Sequence, residues 1–128
     1  MRLLLDSHVL LWAHGAPDRL RAARPLLDDT ANDLLFSAAS AWELAIKVGL
    51  GRLTLPEPVD TWVPRRVAAL GAQAVPVDVD HATRVAALPP VHRDPFDRIL
   101  VAQCAAVGAT LVSADPVFDR YPVQLFRF

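Results

Sequence analysis

Four carboxylates stand where the chain could gather them: Asp6, Glu43, Asp97 and Asp115. Asp6 directly follows the apolar run Leu3-Leu4-Leu5, and Asp115 follows Thr110-Leu111-Val112-Ser113-Ala114. Both therefore sit at or just past the carboxyl end of a strand candidate. Glu43 lies in a helix after Leu34-Leu35-Phe36, and Asp97 lies in the first turn of a helix beginning at Pro95. Carboxylates brought together repel, and in a partly buried site some would protonate. A divalent cation removes that penalty, and it can also activate a bound water. Oxygen-only ligands suit Mg²⁺ or Mn²⁺ rather than zinc.

Each acid also has a plain structural reading. Asp6 could be the N-cap of the segment from Ser7 onward. Ser40-Ala41-Trp42-Glu43 matches a capping box, in which the glutamate returns to the cap's own N–H. Asp94 precedes Pro95, which steers it away from helical geometry and makes it a natural N-cap, with Pro95 at N1 and Asp97 at N3. The helix dipole there favours the ionised form of Asp97. We therefore assign Asp94 mainly to capping, with a supporting role, and Asp97 to chemistry. Asp115 could likewise only cap, with Pro116 at N1. Ser7 and Ser113 adjoin site acids and could bond a carboxylate or a metal-bound water, or merely close local turns.

The remaining candidates are weaker. His8, His14, His81 and His92 lack zinc spacing and have no partner cysteines. His92 and Arg93 precede the acidic turn and could touch a phosphate, but a surface role is the simpler expectation. No Gly-x-Ser-x-Gly elbow and no phosphate-cradling glycine loop is present. Trp12, Trp42 and Trp62 read as core or interface residues rather than base-stacking platforms.

The elements that must position the acids alternate between strand and helix. Leu3–Leu5, Leu34–Phe36 and Thr110–Val112 are strand candidates of the doubly buried kind. Val75–Val79 is a weaker one, restricted to an edge by Pro76, and Val123–Phe126 is a possible last one. Helices are predicted from Val9 to near Gly15 and over 18–28, 40–48, 59–70, 80–88 and 95–107, several closed by glycine or proline. This order implies an α/β fold, a mostly parallel sheet covered on both faces, with ligands bound beyond the strands' carboxyl ends. The 128 residues suit one domain, and no repeat or linker divides them.

Hydrophobic residues make up 53% of the chain, enough for a core with some left for an interface. The net charge of −1 shows no basic excess of the nucleic-acid-binding kind. Clustered acids would mask one, however, and of the 13 basic residues only Lys47 is not arginine. Arginine's planar fork suits phosphate, although coding bias in a GC-rich genome gives the same excess. Cys104 is the only cysteine and reads as a small core residue. The absence of disulfides fits a reducing, cytoplasmic compartment. Asp6, Ser7 and His8 interrupt the leading apolar run too early for a signal peptide, and no stretch is long enough to span a membrane.

Four segments now carry a resemblance: Leu-Leu-Leu-Asp-Ser-His-Val-Leu-Leu-Trp (3–12), Ser-Ala-Ala-Ser-Ala-Trp-Glu-Leu-Ala-Ile-Lys (37–47), His-Arg-Asp-Pro-Phe-Asp-Arg-Ile-Leu-Val-Ala-Gln (92–103) and Leu-Val-Ser-Ala-Asp-Pro-Val-Phe (111–118). Together they resemble PIN-domain proteins, and within these the VapC-type toxins of bacterial toxin–antitoxin pairs. The resemblance implies a three-layer αβα sandwich and a Mg²⁺- or Mn²⁺-dependent ribonuclease over 1–128. It puts the family's four acids on Asp6, Glu43, Asp97 and Asp115 as metal ligands, with Ser7, Ser113 and Asp94 in support. It also implies a structured RNA substrate, a small VapB-type antitoxin laid over the acidic groove, and a homodimer. Arg93 and Arg98 are the phosphate contacts we would expect. The reaction would be metal-assisted phosphodiester hydrolysis.

Two rivals carry different outcomes. A receiver-like phosphoacceptor domain shares the length and the acids at strand ends, but it needs a lysine near a late strand, and Lys47 sits on an early helix. A catalytically silent PIN-fold module would bind RNA or protein without cleavage, since fold alone does not establish activity; the complete acid set argues against it.

Overall fold

A computed structural model describes residues 1–128. Five strands form one sheet: β1 (Arg2–Leu5), β2 (Asp33–Ser37), β3 (Gln73–Val75), β4 (Thr110–Ser113) and β5 (Leu125–Arg127). Their order is β3-β2-β1-β4-β5, and every pairing is parallel. β1 is central, with Leu5 opposite Phe36 on one side and Val112 on the other. The helices are α1 (Ser7–Gly15), α2 (Arg24–Asp28), α3 (Ala38–Gly49), α4 (Val59–Ala69), α5 (Val79–Arg84) and α6 (Pro95–Val107).

The three leucines of β1 explain the layering. Alternate side chains of a strand point to opposite faces. Leu3 and Leu5 join a core with Val9, Leu10, Leu44 and Trp62, under α1, α3 and α4. Leu4 joins the opposite core with Leu100, Val101, Cys104 and Phe118, under α6. All three leucines are fully buried, and each stabilises the fold by about 1.5–3 kcal/mol relative to exposure. The αβα sandwich is thus the arrangement that covers both faces of β1. Cys104 is a core residue, as expected, and burial pushes its thiol up to about 12. No helix is long and apolar enough to cross a membrane.

The structure departs from the sequence reading in several places. The helix predicted over 18–28 is broken into a 3-10 helix, Pro17–Ala23, and α2, with Arg21 at φ 49°. Pro25 is the reason: within a continuous helix its ring would clash with the Arg21 carbonyl four residues back. The edge strand lies at 73–75 rather than 75–79, so Pro76 ends it instead of interrupting it. The helix predicted over 80–88 is α5 followed by a 3-10 turn, Val85–Ala87. The last strand falls at 125–127 rather than 123–126.

Candidate active site

The chain leaves β1 outward through β2 and β3, then returns to place β4 and β5 on the other side of β1. The strand order therefore reverses between β1 and β4, where an α/β sheet opens a crevice beyond its carboxyl ends. Asp6 leaves β1 at that crevice, and Ser113 and Asp115 leave β4 beside it.

Asp6 is buried, with only 4% of its surface exposed. Its Oδ1 accepts from the Ser7 N–H at 2.7 Å, and its Oδ2 accepts from the Ser113 hydroxyl at 2.8 Å. The same Ser113 oxygen accepts from the Asp115 N–H at 3.0 Å. One hydroxyl thus joins the two acid-bearing strand ends. Asp115 Oδ1 also accepts from the Val117 N–H at 2.9 Å, capping a 3-10 helix over Pro116–Arg120. Capping and site placement coexist at both acids, because a carboxylate has two oxygens. Ser7 is buried and meets Asp6 through its backbone.

Glu43 is freed from the capping role that its spacing suggests. The cap of α3 is Ser37, whose hydroxyl accepts from the Ala39 N–H at 3.0 Å. The helix starts two residues earlier than predicted, at Ala38, and its cap moves from Ser40 to Ser37, which puts Glu43 in the second turn, where it is buried. Glu43 Oε2 is 3.4 Å from Lys47 Nζ, one turn along. Ser40, the supposed cap, is buried with its hydroxyl unpartnered.

At α6 the geometry follows the sequence. Asp94 Oδ1 accepts from the N–H groups of Phe96 and Asp97 at 2.9 and 3.2 Å. Asp97 itself turns to His92, whose Nε2 is 2.8 Å from Asp97 Oδ2. Burial pushes the Asp97 carboxyl from 3.8 up to about 7, against the His92 hydrogen bond and with the charges of Asp94 and Asp6, the reverse of the shift expected from the helix dipole. The surface role expected of His92 is therefore wrong: it is half-buried and bonded to a site acid.

His8 is a residue that the sequence reading weighed only as a zinc ligand. Its Nε2 accepts from the Ala114 N–H at 3.0 Å, and its Nδ1 is 3.5 Å from Asp6 Oδ2. Its ring lies on Trp12, with centroids 4.5 Å apart. Burial lowers its pKa despite the fields of Asp6, Asp115 and Glu43, all of which reach it. Those fields, and that of Asp6 on Asp97, tie the four acids into one electrostatic cluster. The available signal was position: His8 falls two residues after the first acid, in the first turn of α1.

The donor chemistry fits a hard divalent cation, since the candidate donors are carboxylates and two of them, Asp6 and Glu43, are buried. No three acidic or imidazole side chains stand close enough for a ready-made cage. A cation here would keep part of its water shell, as Mg²⁺ usually does.

The two arginines expected at phosphate separate. Arg93 is exposed on the rim of an apolar groove of about 690 Å³, walled by Trp42 and Phe96 among others, that contains none of the four acids. Arg98 is turned inward: its guanidinium donates to the carbonyls of Pro89 and Val85 at 2.8 and 3.4 Å and to the Tyr121 hydroxyl at 3.0 Å. Those bonds take both Nη1 protons and one on Nη2, so Arg98 also holds the α5–α6 connection.

With this geometry in hand, comparison with known proteins is specific. The PIN domain family model matches residues 3–124. A protein named ribonuclease VapC22, from Mycobacterium tuberculosis (strain ATCC 25618 / H37Rv), is 33% identical over 113 residues, covering 88% of this chain and 86% of its own. Ribonuclease VapC16 of the same organism is 45% identical over 67 residues; that match spans 52% of this chain and 46% of the relative. Among solved structures, a chain of VapBC2 from Rickettsia felis, bound to a DNA fragment from its promoter, aligns with a TM-score of 0.75 at 18% identity. That alignment covers 99% of this chain and 98% of the other, a likeness of fold.

Proposed function

Because the chain belongs to the PIN-domain family, we propose that it is a Mg²⁺- or Mn²⁺-dependent endoribonuclease, the toxin of a toxin–antitoxin pair, with residues 1–128 as one PIN domain. The observation that carries this reading is the Asp6–Ser113–Asp115 hydrogen-bonded bridge across the β1–β4 crevice, with Glu43 and Asp97 in the same electrostatic cluster. The relatives named ribonuclease VapC support RNA as the substrate class.

Asp6, Glu43, Asp97 and Asp115 would hold the cation, directly or through water. When bound, it supplies the charge neutralisation and Lewis acidity that phosphodiester hydrolysis needs. The protein's own part is placement. Ser113 fixes Asp6 Oδ2 and the Asp115 backbone with one hydroxyl. His8 anchors the Ala114 N–H beside them. Asp94 caps the first turn of α6, in which Asp97 sits with its side chain on His92. Arg93, exposed and unpaired, is the available phosphate contact.

On this reading the partners are a VapB-type antitoxin, as in the VapBC complexes of similar fold, and a second copy of the chain. Trp42, Ile46 and Leu50 are exposed and repeat every four residues along and just past α3. They offer apolar surface for such contacts. The working compartment is the cytoplasm.

The test is cleavage of total RNA by purified protein with Mg²⁺, with Mn²⁺ and with EDTA. Discrete metal-dependent products are expected from the wild type and are lost in Asp6→Asn and Asp97→Asn. RNA binding without cleavage in either metal by folded wild type would overturn the nuclease reading in favour of a silent binding module.

A further inference from the structure

We infer that His92 is a positioning residue for Asp97, locked into its Nε2–H tautomer by a one-way hydrogen-bond relay, Arg98 to Tyr121 to His92 to Asp97. The inference rests on the nuclease reading only in what Asp97 is positioned for; the relay itself rests on geometry.

The direction of the relay follows from its two ends. Arginine can only donate. Arg98 Nη1 is 3.0 Å from the Tyr121 hydroxyl, so that oxygen accepts there with a lone pair. The ionised Asp97 carboxylate at the far end can only accept, so His92 Nε2 donates to it and the single Tyr121 proton goes to Nδ1, which lies 2.6 Å away. A neutral imidazole that accepts at Nδ1 carries its proton on Nε2. Nε2 faces Asp97 Oδ2 at 2.8 Å and donates to it. Every bond of the chain therefore points toward the carboxylate.

The anchor is rigid. Tyr121 is buried, at 6% exposure, and its ring meets His92 edge-on at 5.4 Å. Arg98 is fixed by the carbonyls of Pro89 and Val85 as well. The members come from the connection before α6, from α6 and from the segment after the 3-10 helix 116–120. Their common effect is to hold one oxygen of Asp97, leaving Oδ1 with no protein hydrogen bond. Outer hydrogen bonds of this kind fix a ligand's orientation, and their loss costs metal affinity.

A merely structural His92 would also pack between α6 and Tyr121, so the test must read the N–H itself. Long-range ¹H–¹⁵N spectra of metal-free protein at pH 8 should show His92 protonated on Nε2 in the wild type and a mixture of tautomers in Tyr121→Phe, which keeps the ring. Mn²⁺ affinity, measured by calorimetry without RNA, should fall by roughly 10–100-fold in His92→Ala and return to within about threefold of wild type in His92→Gln, whose amide N–H reaches the Nε2 position. Thermal melts of all three variants identify any that fail to fold, and Tyr121→Phe carries the test if His92→Ala does. A wild-type Nδ1–H tautomer, or equal weakening of Mn²⁺ binding by Ala and Gln, would overturn the relay. Wild type that binds no Mn²⁺ would instead overturn the metal-dependent nuclease, and the tautomer spectra would still decide the relay.

Discussion

Ser113 offers one hydroxyl to two neighbours, and both belong to the acid cluster. It donates to a buried carboxylate and accepts from the backbone of Asp115. Hydrogen bonds to charged groups contribute about 1.5–3 kcal/mol, so Ser113→Ala should lower stability by about that amount in urea titrations. If metal is held as proposed, cleavage should also fall by roughly 10–100-fold, because Asp6 is no longer oriented. Ser113→Thr keeps the hydroxyl and should keep most of both. An alanine variant as stable and as active as wild type would mean that the bridge orients nothing. At this scale the sequence was readable for acids and much less so for the groups that steer them. Asp6, Asp97 and Asp115 announce themselves by following apolar runs or opening a helix after Asp-Pro. His8, His92 and Tyr121 carry no such signature, because the contacts that define them join residues 106, 5 and 29 positions apart.

Elements were legible where local chemistry alone decides them. α6 begins at Pro95 and stops at Gly108 as predicted, since Asp94 caps one end and a left-handed glycine closes the other. β1, β2 and β4 lie where their unbroken apolar runs place them, because both faces are buried. The misplacements arise where two local rules compete. Ser37 and Ser40 are both plausible caps for α3, and only the length of β2 decides for Ser37, which changes the turn on which Glu43 sits. The 17–28 segment has a helical apolar face, yet Pro25 forbids one continuous helix. Gly108 provides a test at this scale. Its φ is 67° and nothing lies within 4 Å of where a Cβ would stand, so substitution brings conformational strain without a clash. Gly108→Ala should therefore cost about 1–2 kcal/mol, seen as a lower melting temperature with cleavage unchanged. A larger loss, or a change in cleavage, would mean that the turn after α6 shapes the site as well as ending the helix.

For the whole molecule, a raised Asp97 means that the site opposes folding at neutral pH until something neutralises it. Folded protein holds the Asp97 proton up to about pH 7, whereas in the unfolded chain the group has its ordinary value of 3.8. Between those values the native state binds more protons, so stability falls as pH rises, and the loss is complete above pH 7. The metal-free protein should melt at progressively lower temperature from pH 5 to 7.5, and Asp97→Asn, which cannot ionise, should flatten that trend. A cation that binds only the native state adds RT ln(1 + [L]/Kd), or about 2.7 kcal/mol at a hundredfold excess over Kd. Because the same proton competes with the cation, Mn²⁺ should raise the wild-type melting temperature more at pH 8 than at pH 6. Asp97→Asn should show a much smaller rise at either pH. Melting curves at these pH values, with and without Mn²⁺, check both halves together. Equal pH slopes in wild type and Asp97→Asn would remove Asp97 as the strained group. A pH-independent Mn²⁺ effect would mean that the cation binds away from it.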